Sequence, residues 1–190
     1  MQKWENKYRI PSARATWWDY AKNGTYFITI CTKNREHFFG ECKNDKMKLS
    51  TIGAIIQGFW YEIPKHFIFV ELGEFVVMPN HIHGILILNK KTDENSTEIM
   101  PIEDNKDFVQ QRFRNQGKNT VSSIIGSFKS VCTKHINLLY PDYFGWQELF
   151  WDIIVKEEEE FVRISNYILN NPINWKEDNL NPDKIPKAEI

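Results

Sequence analysis

His81 and His83 stand two residues apart in Phe75-Val76-Val77-Met78-Pro79-Asn80-His81-Ile82-His83-Gly84-Ile85-Leu86-Ile87-Leu88. The rest of that stretch is apolar strand material, broken at Met78-Pro79-Asn80. Side chains two apart on a strand leave from the same face, so both imidazoles point one way. Two neutral imidazoles aimed at one point make half of a divalent-metal site. The same spacing also serves histidines that only hydrogen-bond to neighbours, and the motif alone leaves both readings open.

A second pair lies far downstream in Ser165-Asn166-Tyr167-Ile168-Leu169-Asn170-Asn171-Pro172. Tyr167 and Asn171 are four apart, so on a helix they share a face. The amide oxygen of Asn171 is a hard ligand suited to Mg²⁺ or Mn²⁺. A deprotonated phenol at Tyr167 can attack phosphorus and form a covalent intermediate. Were this helix to lie over the two histidines, a metal there would act as a Lewis acid on a phosphoryl oxygen. Taken singly, Tyr167 also fits a core aromatic, and Asn171-Pro172 fits a helix stop.

The elements that must position these residues follow from periodicity. Thr25 to Thr32 is β-branched and aromatic, a strand. Residues around Gly40 and Asn44-Asp45 are turn-rich. Ser50 caps a helix over Thr51 to Ile63, carried by Ile52, Ile55, Ile56, Phe59, Trp60 and Ile63, and Pro64 is expected to end it. Phe67 to Met78 forms a strand bent at Gly73, and His81 to Leu88 the next. Thr120 to Leu139 is a second helix, Phe150 to Val155 a short strand, and Glu157 opens a third helix with acids where the macrodipole favours them. The order strand-helix-strand-strand-helix-strand is the α+β, ferredoxin-like β-α-β-β-α-β arrangement: an antiparallel sheet with helices on one face, plus a C-terminal helix carrying Tyr167. The histidines then sit on a central strand, toward either the helices or the open side.

The 190 residues, 42% hydrophobic and 14% aromatic, suit one folded domain. Its expected limits are a basic aromatic arm over 1–24, a domain over 25–175 with a polar insertion at 89–119, and a polar tail over 176–190. No apolar run approaches the ~20 residues of a membrane span, and the N-terminus lacks the apolar core of a secretory signal. Cys31, Cys42 and Cys132 have neither the number nor the spacing of a disulfide framework or thiolate zinc site, so the cytoplasm is the expected home.

A net charge of −1 does not mark the whole chain as a nucleic-acid binder. Two local stretches are cationic: Lys7, Arg9 and Arg14 in the arm, and Arg112, Arg114, Lys118, Lys129 and Lys134 later. The arm interleaves its cations with Trp4, Tyr8, Trp17, Trp18 and Tyr20, a pattern suited to single-stranded nucleic acid and equally to packing across the domain. The later stretch fits a phosphate surface or an ordinary solvated face.

Tyr26-Phe27-Ile28-Thr29-Ile30-Cys31-Thr32, Met78-Pro79-Asn80-His81-Ile82-His83-Gly84, Trp146-Gln147 and Tyr167-Ile168-Leu169-Asn170-Asn171-Pro172 together resemble the REP-associated tyrosine transposases, HUH single-strand transposases with one catalytic tyrosine. The resemblance runs from about Lys7 to Trp175. It implies Mg²⁺ or Mn²⁺ held by His81, His83 and Asn171, with Tyr167 as the nucleophile. It further implies a 5′-phosphotyrosine with single-stranded DNA, a freed 3′-hydroxyl, hairpins from palindromic repeats as partners, and a monomer or homodimer. The family pattern carries an Arg and a His where this chain has Leu149 and Ile153, aliphatic side chains expected to pack. The expected function is thus metal-dependent nicking and strand transfer on hairpin DNA. The alternatives are a catalytically inactive hairpin-binding descendant and a metallohydrolase using activated water.

Overall fold

The structure is a computed structural model describing residues 18–90, 117 and 119–184, with the backbone of 3–4 and 7–8. In chain order the strands and helices are β1 (Lys3–Trp4), β2 (Lys7–Tyr8), β3 (Gly24–Cys31), β4 (Gly40–Lys43), β5 (Lys46–Leu49), α1 (Thr51–His66), β6 (Val70–Val77), β7 (His81–Leu88), α2 (Val121–Leu139), β8 (Trp151–Val155) and α3 (Glu158–Asn170). The central sheet has the order β6-β7-β3-β8, and every neighbouring pair in it is antiparallel. With α1 between β3 and β6, and α2 between β7 and β8, this is the expected α+β, ferredoxin-like topology.

Alternation along the strands gives the sheet two apolar faces. Tyr26, Ile28, Ile30, Ile82 and Leu86 face α1 and α2, which bring Ile56, Trp60, Ile124, Ile125 and Phe128 to the main core. Phe27 and Ile85 face the other way and pack with Val155 and with Ile164 and Ile168 of α3. One face therefore carries two helices and the opposite face carries α3. His83 lies directly across from Thr29 and His81 from Cys31, so both histidines are on the α3 side.

Local chemistry accounts for the helix boundaries. Ser50 Oγ accepts from Gly53 N–H at 3.1 Å, and Thr120 with Ser123 forms a capping box at the start of α2, each satisfying otherwise orphaned donors. Pro64 does not stop α1, which runs to His66. In a last turn proline removes a single donor while its fixed φ remains helical, and Phe67 N–H still reaches Ile63 O at 2.9 Å. The turn-rich segment around Gly40 is in fact a hairpin, β4 paired with β5. Asn44 and Asp45 at its tip have φ of 50° and 60°, both left-handed as a two-residue I′ turn requires. The bend expected at Gly73 is a register shift between Leu72 and Phe75.

Gly84 is where β7 must stay thin. A Cβ there would lie 2.3 Å from Trp60 Cζ2, and Trp60 is fully buried and stacked on Phe75 at 4.6 Å between centroids. The strand carrying the histidines is thereby pressed against α1.

Candidate active site

The turn Met78-Pro79-Asn80 delivers His81 and His83 to the head of β7. It is clamped through its backbone: Met78 N–H donates to His81 O at 2.8 Å, Thr32 N–H to Asn80 O at 2.9 Å, and Phe39 N–H to Pro79 O at 3.0 Å. His81 and His83 are 0% and 2% exposed, with ring centroids 4.5 Å apart.

The side chain of Asn80 assigns the proton on His81. Its Nδ2 donates to the carbonyls of Leu180 at 2.8 Å and Arg35 at 3.2 Å. Carbonyls only accept, so the amide orientation is determined by its partners. Asn80 Oδ1 then faces His81 Nδ1 at 2.8 Å and must accept from it. His81 is therefore the Nδ1–H tautomer, with its lone pair on Nε2. Burial, reinforced by the neighbouring His83, Arg35 and His37, holds its pKa well below the usual value and keeps the ring neutral.

That lone pair has no donor. Among the described residues, His81 Nε2 is buried without a hydrogen-bond partner, and so is Asn171 Oδ1. The nearest carboxylate oxygen, Asp178 Oδ2, is 4.0 Å from His81 Nε2. The ligand atoms of His81, His83 and Asp178 all lie within 4.8 Å of one another. A buried acceptor without a donor is unfavourable. A divalent cation relieves that cost, and nitrogen and oxygen donors without thiolate fit Mg²⁺ or Mn²⁺.

His83 is oriented from both sides. Its Nδ1 is 2.8 Å from Thr29 Oγ1 and its Nε2 is 3.2 Å from the Tyr167 hydroxyl. Burial pushes its pKa down to about 3. Tyr167 sits near the end of α3, 46% exposed, with Phe27 edge-on at 6.1 Å. Its pKa is raised by burial and by the negative charge of Asp178, and lowered in smaller part by a hydrogen bond from Asn171. Asn171, the C-cap of α3, is 2% exposed. The structure thus brings together His81, His83, Tyr167 and Asn171, as the spacing of each pair suggested.

It also supplies residues that the spacing did not reveal. Asp178 belongs to the stretch expected to be a polar tail. Trp175 packs against His81 at 6.0 Å, Asn181 Nδ2 donates to Trp175 O, and Leu180 N–H donates to Asp178 Oδ1, turning the carboxylate toward the histidines. Arg35 and Arg163 line a cleft of about 470 Å³ beside Tyr167, together with Phe27, Trp151, Ile153 and Leu180. Asn80 had a sequence signal, its place immediately before His81. Arg163 also had one, four residues before Tyr167 and so on the same helix face, whereas Asp178 and Arg35 had none, since no periodicity links them to the site.

Two of the expected DNA contacts, Lys129 and Lys134, have described side chains. Arg9, Arg14, Arg112, Arg114 and Lys118 lie outside the described residues, and Lys7 is described only as backbone in β2. Lys134 is exposed on α2, across the sheet from the histidines. Lys129, on the same helix, donates to the carbonyls of Gln147 at 2.5 Å and Glu148 at 3.1 Å. Leu149 and Ile153 do not pack: they are 66% and 48% exposed.

Among the described residues, no helix is long and apolar enough to cross a membrane. No family model matches the chain. Among solved structures it is similar to a REP-associated tyrosine transposase bound to a REP hairpin, with a TM-score of 0.56 and 18% identity, covering 85% of this chain and 74% of the other. At that identity the likeness shows the fold, which is transposase-like. An uncharacterized protein of Haemophilus influenzae is 34% identical over 172 residues, 90% of this chain and 93% of that protein. The chain belongs to the family of this Haemophilus protein, built on a transposase-like fold.

Proposed function

We propose that the protein is a metal-dependent single-stranded DNA nickase and strand transferase that works through a 5′-phosphotyrosine on Tyr167. The observation carrying this reading is the approach of the Tyr167 hydroxyl to His83 Nε2, 3.2 Å, beside the unpartnered Nε2 of His81 and Oδ1 of Asn171. A nucleophile next to a set of buried cation ligands is the equipment of phosphoryl transfer.

In this reading His81, His83 and Asn171 hold Mg²⁺ or Mn²⁺, with Asp178 as a further oxygen ligand. When bound, the ion supplies positive charge to the phosphoryl oxygen and offsets the raised pKa of the phenol. Asn80 and Thr29 fix the imidazoles so that each Nε2 faces the site. The hydroxyl of Tyr167 gives its proton to solvent and attacks phosphorus. The Tyr167 Oη–P bond forms, the P–O3′ bond breaks, and the departing oxygen takes up a proton as a free 3′-hydroxyl. The phosphodiester's energy is kept in the new bond, so a second 3′-hydroxyl can reverse the step without ATP.

Single-stranded DNA hairpins are the partner we assign, supported by the REP hairpin bound to the fold neighbour. The arm and insertion cations Lys7, Arg9, Arg14, Arg112, Arg114 and Lys118, with Lys134, are assigned to the DNA backbone, and Lys129 is left to its two carbonyl acceptors. The protein acts in the cytoplasm as a monomer or homodimer. The test is incubation with end-labelled hairpin DNA and Mn²⁺ or Mg²⁺. The expected result is a covalent band that EDTA and Tyr167→Phe both abolish. Salt-sensitive hairpin binding with no such band would favour the inactive hairpin binder. Metal-dependent turnover surviving Tyr167→Phe would favour a hydrolase using activated water.

A further inference from the structure

The cleft beside Tyr167 has chemistry that phosphoryl transfer itself does not use. Thr29 pairs with His83 on one side and with Trp151 on the other. His83, Thr29 and Trp151 therefore form one cross-strand row, with the edge strand about 10 Å from β7, two strand spacings away. Ile153 follows on the same face, paired with Phe27. Trp151 is 62% exposed and Ile153 48%, on the outermost strand of the sheet. A large aromatic and an aliphatic side chain are thus held toward solvent by a rigid element, next to the nucleophile.

The same cleft is lined by Arg35 and Arg163. Arg163 is largely exposed and, among the described residues, has a 3.6 Å contact to Glu160, a surface pair that contributes little. Arg35 comes from the turn after β3, where it and Asn34 have φ of 57° and 54°. Its guanidinium donates to Asn179 O at 3.0 Å, which leaves donors for another acceptor. An apolar wall with two guanidinium groups matches a nucleotide, which has one flat apolar face and one anionic end. A volume of about 470 Å³ falls in the range of small-ligand sites, roughly 300–1,000 Å³, and suits a nucleotide and not a duplex.

We infer that Trp151, on a floor of Ile153, is a stacking platform for one unpaired base next to the scissile phosphate, and that Arg35 and Arg163 take the adjoining phosphates. This rests on the DNA reading of the site above and adds how the strand is seated. Stacking on an aromatic side chain is tolerant of sequence, so the platform sets where an unpaired nucleotide lies without dictating which base it carries.

The test is fluorescence anisotropy with a labelled twelve-residue oligothymidylate and an abasic oligomer of the same length. The native protein is expected to bind the base-bearing strand about fivefold to a hundredfold more tightly. Trp151→Ala should lose most of that preference without changing affinity for the abasic strand, and Trp151→Phe should retain it. Arg163→Gln should reduce the slope of log affinity against log salt by about 0.7. Equal affinity of the native protein for the two strands overturns the platform, as does Trp151→Ala with the preference intact or no binding of either strand at low salt. Adduct formation at Tyr167, read on hairpin DNA in parallel, separates the two claims. An adduct without base discrimination removes the platform and leaves the nickase, whereas discrimination without an adduct leaves the platform and removes strand transfer.

Discussion

Replacing Asn80 by alanine takes out the group that fixes the protonation of His81 and tethers the segment bearing Asp178. The side chain is 1% exposed and makes three bonds: from Nδ2 to the carbonyls of Leu180 and Arg35, and from His81 Nδ1–H to Oδ1. Each buried group left unpaired costs about 1–3 kcal/mol. Water entering the vacated space recovers part of this, so the expected loss is about 2–4 kcal/mol. Without its acceptor, His81 is free to move its proton to Nε2, and divalent-cation affinity should fall about 10–100-fold. Asn80→Asp separates the two effects. It retains an oxygen for His81 Nδ1–H but has no donor for Leu180 or Arg35, so stability should fall while cation affinity is held. Urea unfolding followed by tryptophan fluorescence gives the first quantity, and calorimetric titration with Mn²⁺ gives the second. A folded Asn80→Ala protein that binds Mn²⁺ as tightly as the native one would refute the tautomer argument.

Further outcomes follow from the same geometry. Gly84→Ala places a methyl carbon where 2.3 Å separates it from the indole of Trp60; overpacking of this kind costs about 1–3 kcal/mol, and an unchanged urea midpoint would contradict it. Asp178→Asn should weaken Mn²⁺ binding by about tenfold or more through loss of a charged oxygen ligand, and should lower the phenol pKa of Tyr167, which Asp178 raises; calorimetry and ultraviolet titration read the two effects. His83 has a folded pKa of about 3 against an ordinary 6.5, so below pH 6.5 the unfolded chain binds a proton that the folded chain refuses. Stability of the metal-free protein should therefore fall with acidification from pH 6.5 toward 3, by about 1.4 kcal/mol per pH unit from this residue, and level off above pH 7. Unfolding free energies at pH 7 and 5 check the sign, and His83→Asn should flatten the slope.

The positions of the histidines were legible because strand and helix periods are strong signals. Alternation around His81 and His83 identified β7, and the four-residue spacing of Tyr167 and Asn171 put both at one end of α3. Which face of the sheet they would meet on was not legible, since both faces of β7 are apolar: Ile82 and Leu86 on one side, Ile85 and Ile87 on the other. The hairpin β4–β5 escaped notice because Glu41-Cys42-Lys43 and Lys46-Met47-Lys48 are short and mostly charged, with only Asn44-Asp45 to mark the turn. Asp178 is placed by backbone carbonyl bonds and its own hydrogen bond to Leu180 N–H, a mode of ordering that leaves no repeat in the sequence. Arg35 is placed by a left-handed turn, and Arg163 by α3. Charge counting gave Lys129 to DNA, while burial and two carbonyl acceptors engage its ammonium group within the fold. Composition registers the cation but not its partners. Leu149 and Ile153 show the converse: aliphatic type suggested packing, yet Leu149 lies in the segment before β8 and Ile153 on that edge strand, and both are in the open.

The central claim is that the phenol of Tyr167 becomes covalently bonded to DNA. Its most direct measurement is mass spectrometry of the protease-digested protein after incubation with hairpin DNA and Mn²⁺. The account predicts a nucleotide-phosphate mass on the peptide containing Tyr167, present with the metal, absent with EDTA and absent in Tyr167→Phe. Cleaved DNA with that peptide unmodified, or an adduct mapped to another residue, would contradict it.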